Sequence, residues 1–334
     1  MATRRTYDES DIRIRPNRRG SRPRTKERPA HKNAVIGMVT AVDRGRWRVL
    51  VQGRAVTAMR ARELGRTSIV VGDEVALVGD SSGDEGSLAR IVRVENRRTL
   101  LRRTADDTDP VERVLVANAD QLVIVTALAD PEPRPRMVDR CLVAAYDAGM
   151  TPLLLLTKAD LTAPGPFLDQ YAPLNVDALV THINGSSIEG LDAVRSALEG
   201  KVSVLVGHSG VGKSTLVNVL VPQADRATGD VNAVTGRGRH TSTSAVALAL
   251  PEGGWVVDTP GVRSFGLAHI DPDKIVHLFP DLAPGTDGCP RGCTHDEPEC
   301  GLDAFVASGD AGAAGDSRLE SLRRLLRSRA GDSR

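Results

Sequence analysis

Gly207-His208-Ser209-Gly210-Val211-Gly212-Lys213-Ser214 decides the fold, once the residues on either side of it are read. The run Lys201 to Val206 before it is a short buried strand built on Val202, Val204, Leu205 and Val206, and Lys213 to Leu220 after it is a helix. Between them, three glycines let the backbone curl so that several N–H groups point at one anion, and the helix N-terminus adds partial positive charge. Gly207 to Thr215 therefore reads as a phosphate-binding loop. Lys213 is expected to reach the outer phosphates of a nucleotide, and the Ser214 hydroxyl is expected to hold Mg2+.

A phosphate loop does not by itself separate GTP from ATP. Thr157-Lys158-Ala159-Asp160 does, because the Asp160 carboxylate can accept two hydrogen bonds from N1–H and the 2-amino group of guanine. Adenine lacks that amine. The apolar run Pro152 to Leu156 places the box at the carboxyl end of a strand, where open α/β sheets bind ligands, and Lys158 would lay its aliphatic stem over the base. Ordinary GTPases carry this box after the phosphate loop; here it comes about fifty residues before it. The same pieces are present and the chain is cut at a different place.

The switch segments follow the loop. Trp255 to Asp258 reads as a strand, and Asp258-Thr259-Pro260-Gly261 as the box in which Asp258 serves Mg2+ and the Gly261 N–H meets the γ-phosphate. Val262 follows where many GTPases have a Gln that orients the attacking water. Valine cannot do so, which makes His240 in Gly236-Arg237-Gly238-Arg239-His240-Thr241-Ser242-Thr243 the candidate for that task. The hydroxyl of Thr241 or Thr243 would complete the Mg2+ shell, Lys213, His240 and Thr241 being the expected catalytic set. Arg237 or Arg239 would serve instead as contacts to RNA phosphates.

Three of the four cysteines cluster as Cys289-x3-Cys293-x-His295-x4-Cys300. Three thiols and one imidazole within twelve residues supply a closed tetrahedral Zn2+ shell, with few apolar residues nearby to fold the segment without metal. Cys141 lies in the amphipathic run Met137 to Ala148 and reads as a core residue.

The net charge of +1 conceals a division: residues 1–103 sum to +12 and the remaining 231 to −11. Residues 1–32 carry eleven Lys/Arg and four Asp/Glu with almost no apolar side chains, the composition of a disordered basic arm. Five β-like runs follow, at Ala34–Thr40, Arg46–Val51, Ala55–Met59, Glu74–Val78 and Ala89–Val94, and suggest a small barrel of the OB type. Such barrels bind RNA or single strands, but Trp47 is the only aromatic in this one. Arg44, Arg46, Arg48, Arg54, Arg60 and Arg62 would therefore have to bind the backbone. No apolar run approaches a membrane span, and Met1 to Lys32 lacks the apolar core of a signal peptide, so a cytoplasmic protein with no membrane contact is expected. Ser317 to Arg329 forms a basic amphipathic helix with Leu319, Leu322, Leu325 and Leu326 on one face, for core packing or for contact with a partner.

Taken together, the permuted boxes, Arg237-Gly238-Arg239-His240-Thr241, Asp258-Thr259-Pro260-Gly261-Val262, the Cys/Cys/His/Cys cluster and Val116-Ala117-Asn118-Ala119-Asp120-Gln121 resemble the circularly permuted, ribosome small-subunit-dependent GTPases of bacteria over about residues 33–330. The basic arm (1–32) is not part of the shared pattern; behind it the resemblance implies a multidomain chain, with an OB-type β-barrel that binds RNA (33–103), a circularly permuted P-loop α/β GTPase domain (104–268) and a zinc-binding α-helical domain (269–334). It implies one structural Zn2+, Mg2+ with GTP, GTP and GDP as ligands, and a monomer that binds the small ribosomal subunit and its rRNA late in assembly. Thr157 stands where the family has Asn, the gaps around Cys293-x-His295 are one residue shorter, and the fifth GTPase box, sought near Ile183-Asn184-Gly185-Ser186, matches only at Gly185 and Ser186. Two rival readings are an RNA-binding module that holds GTP as a static ligand and a P-loop ATPase or kinase in which Lys158 and Asp160 are structural.

Overall fold

The computed structural model describes residues 31, 33–65, 67–103, 113–185, 187–222, 245–259, 267 and 270–330. The expectations for His240, Thr241, Thr243, Gly261, Val262, Arg237, Arg239 and Ser186, and for the arm of residues 1–30, fall outside them.

Five strands form the barrel: β1 (Val35–Asp43), β2 (Arg46–Val51), β3 (Arg54–Arg60), β4 (Glu74–Gly79) and β5 (Ala89–Val94). Their order is β1-β2-β3-β5-β4, closed by an antiparallel β4–β1 pairing, with β3 and β5 parallel. This is the OB arrangement that the alternating runs predict. Closure explains the alternation, since every second side chain points inward: Trp47, Val49 and Val51 on β2 join Val39, Val56, Val75, Leu77 and Ile91 in one core. Trp47 is 8% exposed and its indole N–H donates to the Ile69 carbonyl at 3.1 Å, so the ring is a core group and no base can stack on it.

Next along the chain come β6 (Leu100–Arg103) and β7 (Arg113–Ala117), which pair with each other, Val116 of β7 also bridging to Val71 just before β4. Then follow β8 (Gln121–Ala127), α1 (Pro135–Asp147), β9 (Thr151–Thr157), α2 (Gly165–Tyr171), β10 (Asp177–Val180), the hairpin β11 (His182–Asn184) and β12 (Ser187–Glu189), α3 (Leu191–Leu198), β13 (Val202–Val206), α4 (Lys213–Leu220), β14 (Val246–Ala249) and β15 (Trp255–Asp258). The sheet order is β10-β9-β8-β13-β15-β14, parallel except for β14. One pairing, Ala41 with Val246, continues this sheet into β1 of the barrel.

The central strands are buried on both faces, as their unbroken apolar sequence requires. Leu122, Ile124, Leu154, Leu156, Val204, Val206 and Val257 face one core, while Val123, Val125, Leu153, Leu155, Leu205 and Val256 face the other. Residues of α3 and α4 cover the second face. On the first face α1 packs with the C-terminal elements α5 (Pro272–Val276), α6 (Gly301–Ala307) and α7 (Gly315–Ala330). The leucine stripe of α7 is in that core: Leu322 and Leu325 are fully buried and Leu319 and Leu326 nearly so. Cys141 is a core residue of the same face, 2% exposed. Arg324 of α7 reaches Asp139 of α1 at 3.2 Å and lies 4.9 Å over the Tyr171 ring, while Arg140 donates to the Ser328 carbonyl at 2.6 Å.

The segment Val116 to Gln121 is the seam between barrel and sheet. Asn118, at φ 55°, donates from Nδ2 to the Gly72 carbonyl at 2.9 Å and accepts from the Arg98 N–H at 2.8 Å. Asp120 accepts from the Val202 N–H at 2.8 Å, and Gln121 donates to Ser203 Oγ at 2.8 Å. Gly72 has φ +87°, and a Cβ there would stand 1.9 Å from the Ala117 carbonyl oxygen, so only glycine fits the seam. Among the described residues, no helix is long and apolar enough to cross a membrane.

Candidate nucleotide site and metal cluster

At the carboxyl ends of β9, β10, β13 and β15 a cavity of about 580 Å³ opens. Its floor is the loop after β13. Gly207 has φ +149°, and a Cβ on it would lie 2.3 Å from the Val125 carbonyl oxygen, while Gly210 and Gly212 have φ +86° and +94°. These angles turn the chain tightly into α4, whose first turn receives no side-chain cap from Gly212. Its N–H groups are thus free of a capping side chain, as an anion site requires.

Thr157, Lys158, Gly207, His208, Ser209, Gly210, Gly212, Lys213, Ser214, Thr215 and Asp258 all line this one cavity, so residues up to a hundred positions apart in sequence meet there. Two residues from the sequence reading stand elsewhere. The Val211 side chain turns into the core beneath, fully buried. Asp160 is exposed on the turn after Lys158 and is not part of the lining. Four further side chains join the wall on the far side: Thr181 and His182, which follow β10 directly, and Ile183 and Ile188 of the hairpin. Of the residues where the sequence reading sought the fifth box, Ile183 lines the cavity, while Asn184 and Gly185 do not.

Thr157 has a specific task. Its hydroxyl donates to the Val211 carbonyl at 2.8 Å and so ties the base-box strand to the phosphate loop. The shorter side chain keeps the brace that an Asn would make and has no second polar arm for the base. Lys158, at φ +59°, donates to the Asp130 carbonyl, which fixes its head on the β8–α1 loop and leaves its methylene stem in the cavity wall. The Ala159 N–H donates to the Thr181 carbonyl at 3.3 Å and joins the two strand ends.

Lys213 donates to the Gly207 carbonyl and, at 2.9 Å, to the His208 carbonyl. Burial raises the Asp258 carboxyl above its ordinary range, and the nearby Lys213 ammonium partly offsets this. The Thr259 hydroxyl anchors the chain after β15 by donating to the Leu205 carbonyl at 2.9 Å. His208 is 6% exposed; its Nδ1–H donates to the Ser209 carbonyl at 2.9 Å, and burial, with help from Arg134 and Lys213, lowers its pKa.

A second constellation lies between Cys289 and α6. One ligand atom each from Cys289, Cys293, His295 and Cys300 falls within 4.8 Å of every other. Cys289 Sγ is 3.8 Å from Cys300 Sγ and 3.5 Å from His295 Nδ1, and Cys300 Sγ is 3.9 Å from the same nitrogen. A tetrahedral Zn2+ with its usual bond lengths needs about 3.8 Å between sulfurs and about 3.6 Å between sulfur and nitrogen. The donor set and its spacing therefore fit a metal ion, and the shortened gaps are absorbed by left-handed backbone at Gly292 (φ 78°) and His295 (φ 68°). Burial pushes the Cys293 thiol up to about 12 and raises that of Cys300. Arg323 of α7 braces the loop, donating to the His295 carbonyl at 3.0 Å and to both oxygens of Asp303.

The sequence profile of the RsgA GTPase family matches residues 94–268, which hold the phosphate loop, both flanking boxes and the seam. The chain belongs to the RsgA GTPase family. Family membership makes it a GTP hydrolase, and the sheet order above is that of a circularly permuted GTPase. A protein of Gemmatimonas aurantiaca named small ribosomal subunit biogenesis GTPase RsgA is 36% identical over 289 residues, 83% of this chain and 92% of its own length. A protein of the same name from Pseudomonas aeruginosa is 39% identical over 267 residues, 78% of this chain and 76% of its own. Among solved structures, that of YjeQ from Thermotoga maritima matches with a TM-score of 0.64 at 26% identity, covering 89% of this chain and 99% of that one. The structure of YloQ, described as a circularly permuted GTPase, shares the fold with a TM-score of 0.60 at 21% identity over 89% of this chain and 96% of its own.

Proposed function

We propose that this chain binds the small ribosomal subunit and promotes its late maturation, hydrolysing GTP to GDP and phosphate under stimulation by the subunit. The carrying observation is the single cavity that collects Thr157, Lys158, the Gly207–Thr215 loop and Asp258 from both sides of the permutation. The name shared by the relatives supplies the subunit. In this reading the loop N–H groups and Lys213 hold the phosphates, and Asp160 reads guanine from the turn beside Lys158. Ser214 and Asp258, with Thr241 or Thr243, would hold Mg2+, which supplies charge neutralisation between the outer phosphates. His240 orients water in place of Val262, and Gly261 meets the γ-phosphate. Cys289, Cys293, His295 and Cys300 hold one structural Zn2+.

Arg44, Arg46, Arg54, Arg60 and Arg62 are exposed on the barrel and Arg48 is half-buried, a set of cations suited to rRNA backbone. With Trp47 buried, that binding is electrostatic and weakens steeply with salt. A cytoplasmic monomer completes the reading. The test is GTP turnover by the purified protein alone and with small, large and joined subunits, with ATP as control. Stimulation by the small subunit only is expected. No stimulation by any subunit would overturn the assembly role and favour a static GTP ligand, and equal competition by ATP would favour an ATPase.

A further inference from the structure

We infer that Arg323 of α7 is a positioning residue of the metal site: it fixes the main chain of His295 and the helix that follows Cys300, and so sets how tightly the four ligands hold Zn2+. This rests on the zinc reading above and assigns a further residue to it.

The ligand loop is held in a costly backbone conformation. Gly292 and His295, on either side of Cys293, both have left-handed angles, φ 78° and 68°. Glycine takes that conformation freely, but in other residues it costs about 1–2 kcal/mol. Only three residues separate Cys289 from Cys293 and one separates Cys293 from His295, so the chain must reverse sharply to bring its donors together. His295 Nδ1 is 3.5 Å from Cys289 Sγ and 3.9 Å from Cys300 Sγ. A ring that ligates through Nδ1 stands close to its own main chain, so a shift of that main chain moves the donor directly.

Arg323 holds that main chain from outside the ligand shell. Its Nε–H donates to the His295 carbonyl at 3.0 Å, and its two terminal nitrogens donate to the two Asp303 oxygens at 2.8 and 2.7 Å. Asp303 stands in the first turn of α6, whose N-cap is Cys300, and its own N–H donates to the Cys300 carbonyl at 3.2 Å. One planar guanidinium therefore spans the third and fourth ligands with a fixed fork that a lysine ammonium lacks. Close by, Arg327 donates to both oxygens of Asp296, the residue after His295, at 2.8 and 2.7 Å. The helix that carries both arginines is itself seated, with Leu322 and Leu325 fully buried in the core shared with α1. The loop thus takes its shape from a helix already fixed on the GTPase sheet. Partners outside the ligand shell commonly change metal affinity about tenfold to hundredfold.

The test is the Zn2+ affinity of the full chain, by competition with a chromophoric chelator, together with the visible spectrum of the Co2+-loaded protein. Arg323→Met is expected to raise the Kd of Zn2+ about tenfold to hundredfold. It should also alter the visible bands of tetrahedral Co2+, because the His295 donor moves. Arg323→Lys should recover only part of the loss, and Asp303→Asn, which frees one arm of the fork, should raise Kd about threefold to tenfold. Leu319→Ala loosens α7 without touching the loop, and should keep the Co2+ spectrum and a Zn2+ affinity within about threefold of wild type. A comparably small change in Arg323→Met overturns the inference. So does an equal loss in Leu319→Ala, which would make Arg323 one more contributor to the stability of α7. If Arg323→Met does not fold, Asp303→Asn decides, and an unchanged Kd there is the overturning result. A wild-type chain that binds no Zn2+ overturns instead the zinc reading beneath.

Discussion

Replacing Thr157 by Val removes one hydroxyl and keeps the side chain's shape. The lost bond is the 2.8 Å donation to the Val211 carbonyl, across 54 positions of sequence. A hydrogen bond of this kind contributes about 0.5–1.5 kcal/mol net, and a carbonyl left without a donor in a half-buried loop pushes the cost toward about 2 kcal/mol. The Thr126 carbonyl, 3.4 Å from the same oxygen, is too distant to share the bond strongly. The brace sets the loop that receives phosphate, so the cost appears in the fraction of molecules whose loop is ready to bind. GDP affinity should fall about threefold to thirtyfold, and tripolyphosphate affinity by the same factor, since the phosphate cradle and not the base wall is loosened. Titration calorimetry with both ligands checks this, with thermal melting alongside; a fall in Tm of about 2–4 °C per kcal/mol is expected. Thr157→Ser should retain most of the affinity, and Thr157→Asn should equal or exceed the wild type by adding a polar arm toward the base. Thr157→Val with GDP affinity within twofold of wild type would refute the argument that this hydroxyl braces the loop.

Three further outcomes are expected. Asn118→Ala removes both side-chain bonds of the seam, and Gly72→Ala forces a methyl against the Ala117 carbonyl, so each should lower stability by about 2–4 kcal/mol in denaturant unfolding, whereas an effect below about 0.5 kcal/mol would contradict the seam. Burial outweighs the Arg324 guanidinium and pushes the Asp139 carboxyl up to about 6, above its ordinary value near 3.8. The folded state thus binds the extra proton, and the stability of the wild type relative to Asp139→Asn should fall as pH rises from about 4 to about 6 and level off above; a wild type that gains on the variant over that window would contradict it. Purified protein should carry one Zn2+ per chain by metal analysis, and Cys300→Ser or a strong chelator should lower the melting temperature; metal-free protein with an unchanged melt would remove the cluster's structural role.

Much of this protein is determined by short-range chemistry, and that part was readable from sequence. The glycines at 207, 210 and 212 are dictated by backbone angles that other residues avoid, so the phosphate loop is legible wherever it stands in the chain. The alternating runs of the barrel and the unbroken apolar runs of β8 and β9 follow from whether one or both faces are buried, and the strand limits at Arg46–Val51 and Ala89–Val94 agree with the sequence reading to the residue. Four metal-binding side chains within twelve residues are likewise a local signal. Trp47 also declares itself locally, since it alternates with Val49 and Val51 and so had to face inward. What the tertiary structure alone decided are the meetings between distant segments. Thr157 stood out in the sequence only as a departure from the family's Asn, and only the tertiary structure, which brings the end of β9 to the loop after β13, shows its hydroxyl holding Val211. The leucine stripe of α7 was compatible with a core or a partner until its seat against α1 was known. Ile183 was sought in the fifth box, but that Ile188 joins it in the cavity wall with Lys158 follows only from the pairing of β9 with β10 and of β11 with β12. Backbone geometry and alternation are properties of neighbouring residues, whereas partners far apart in the chain are chosen by the shape and polarity of surfaces that exist only after folding.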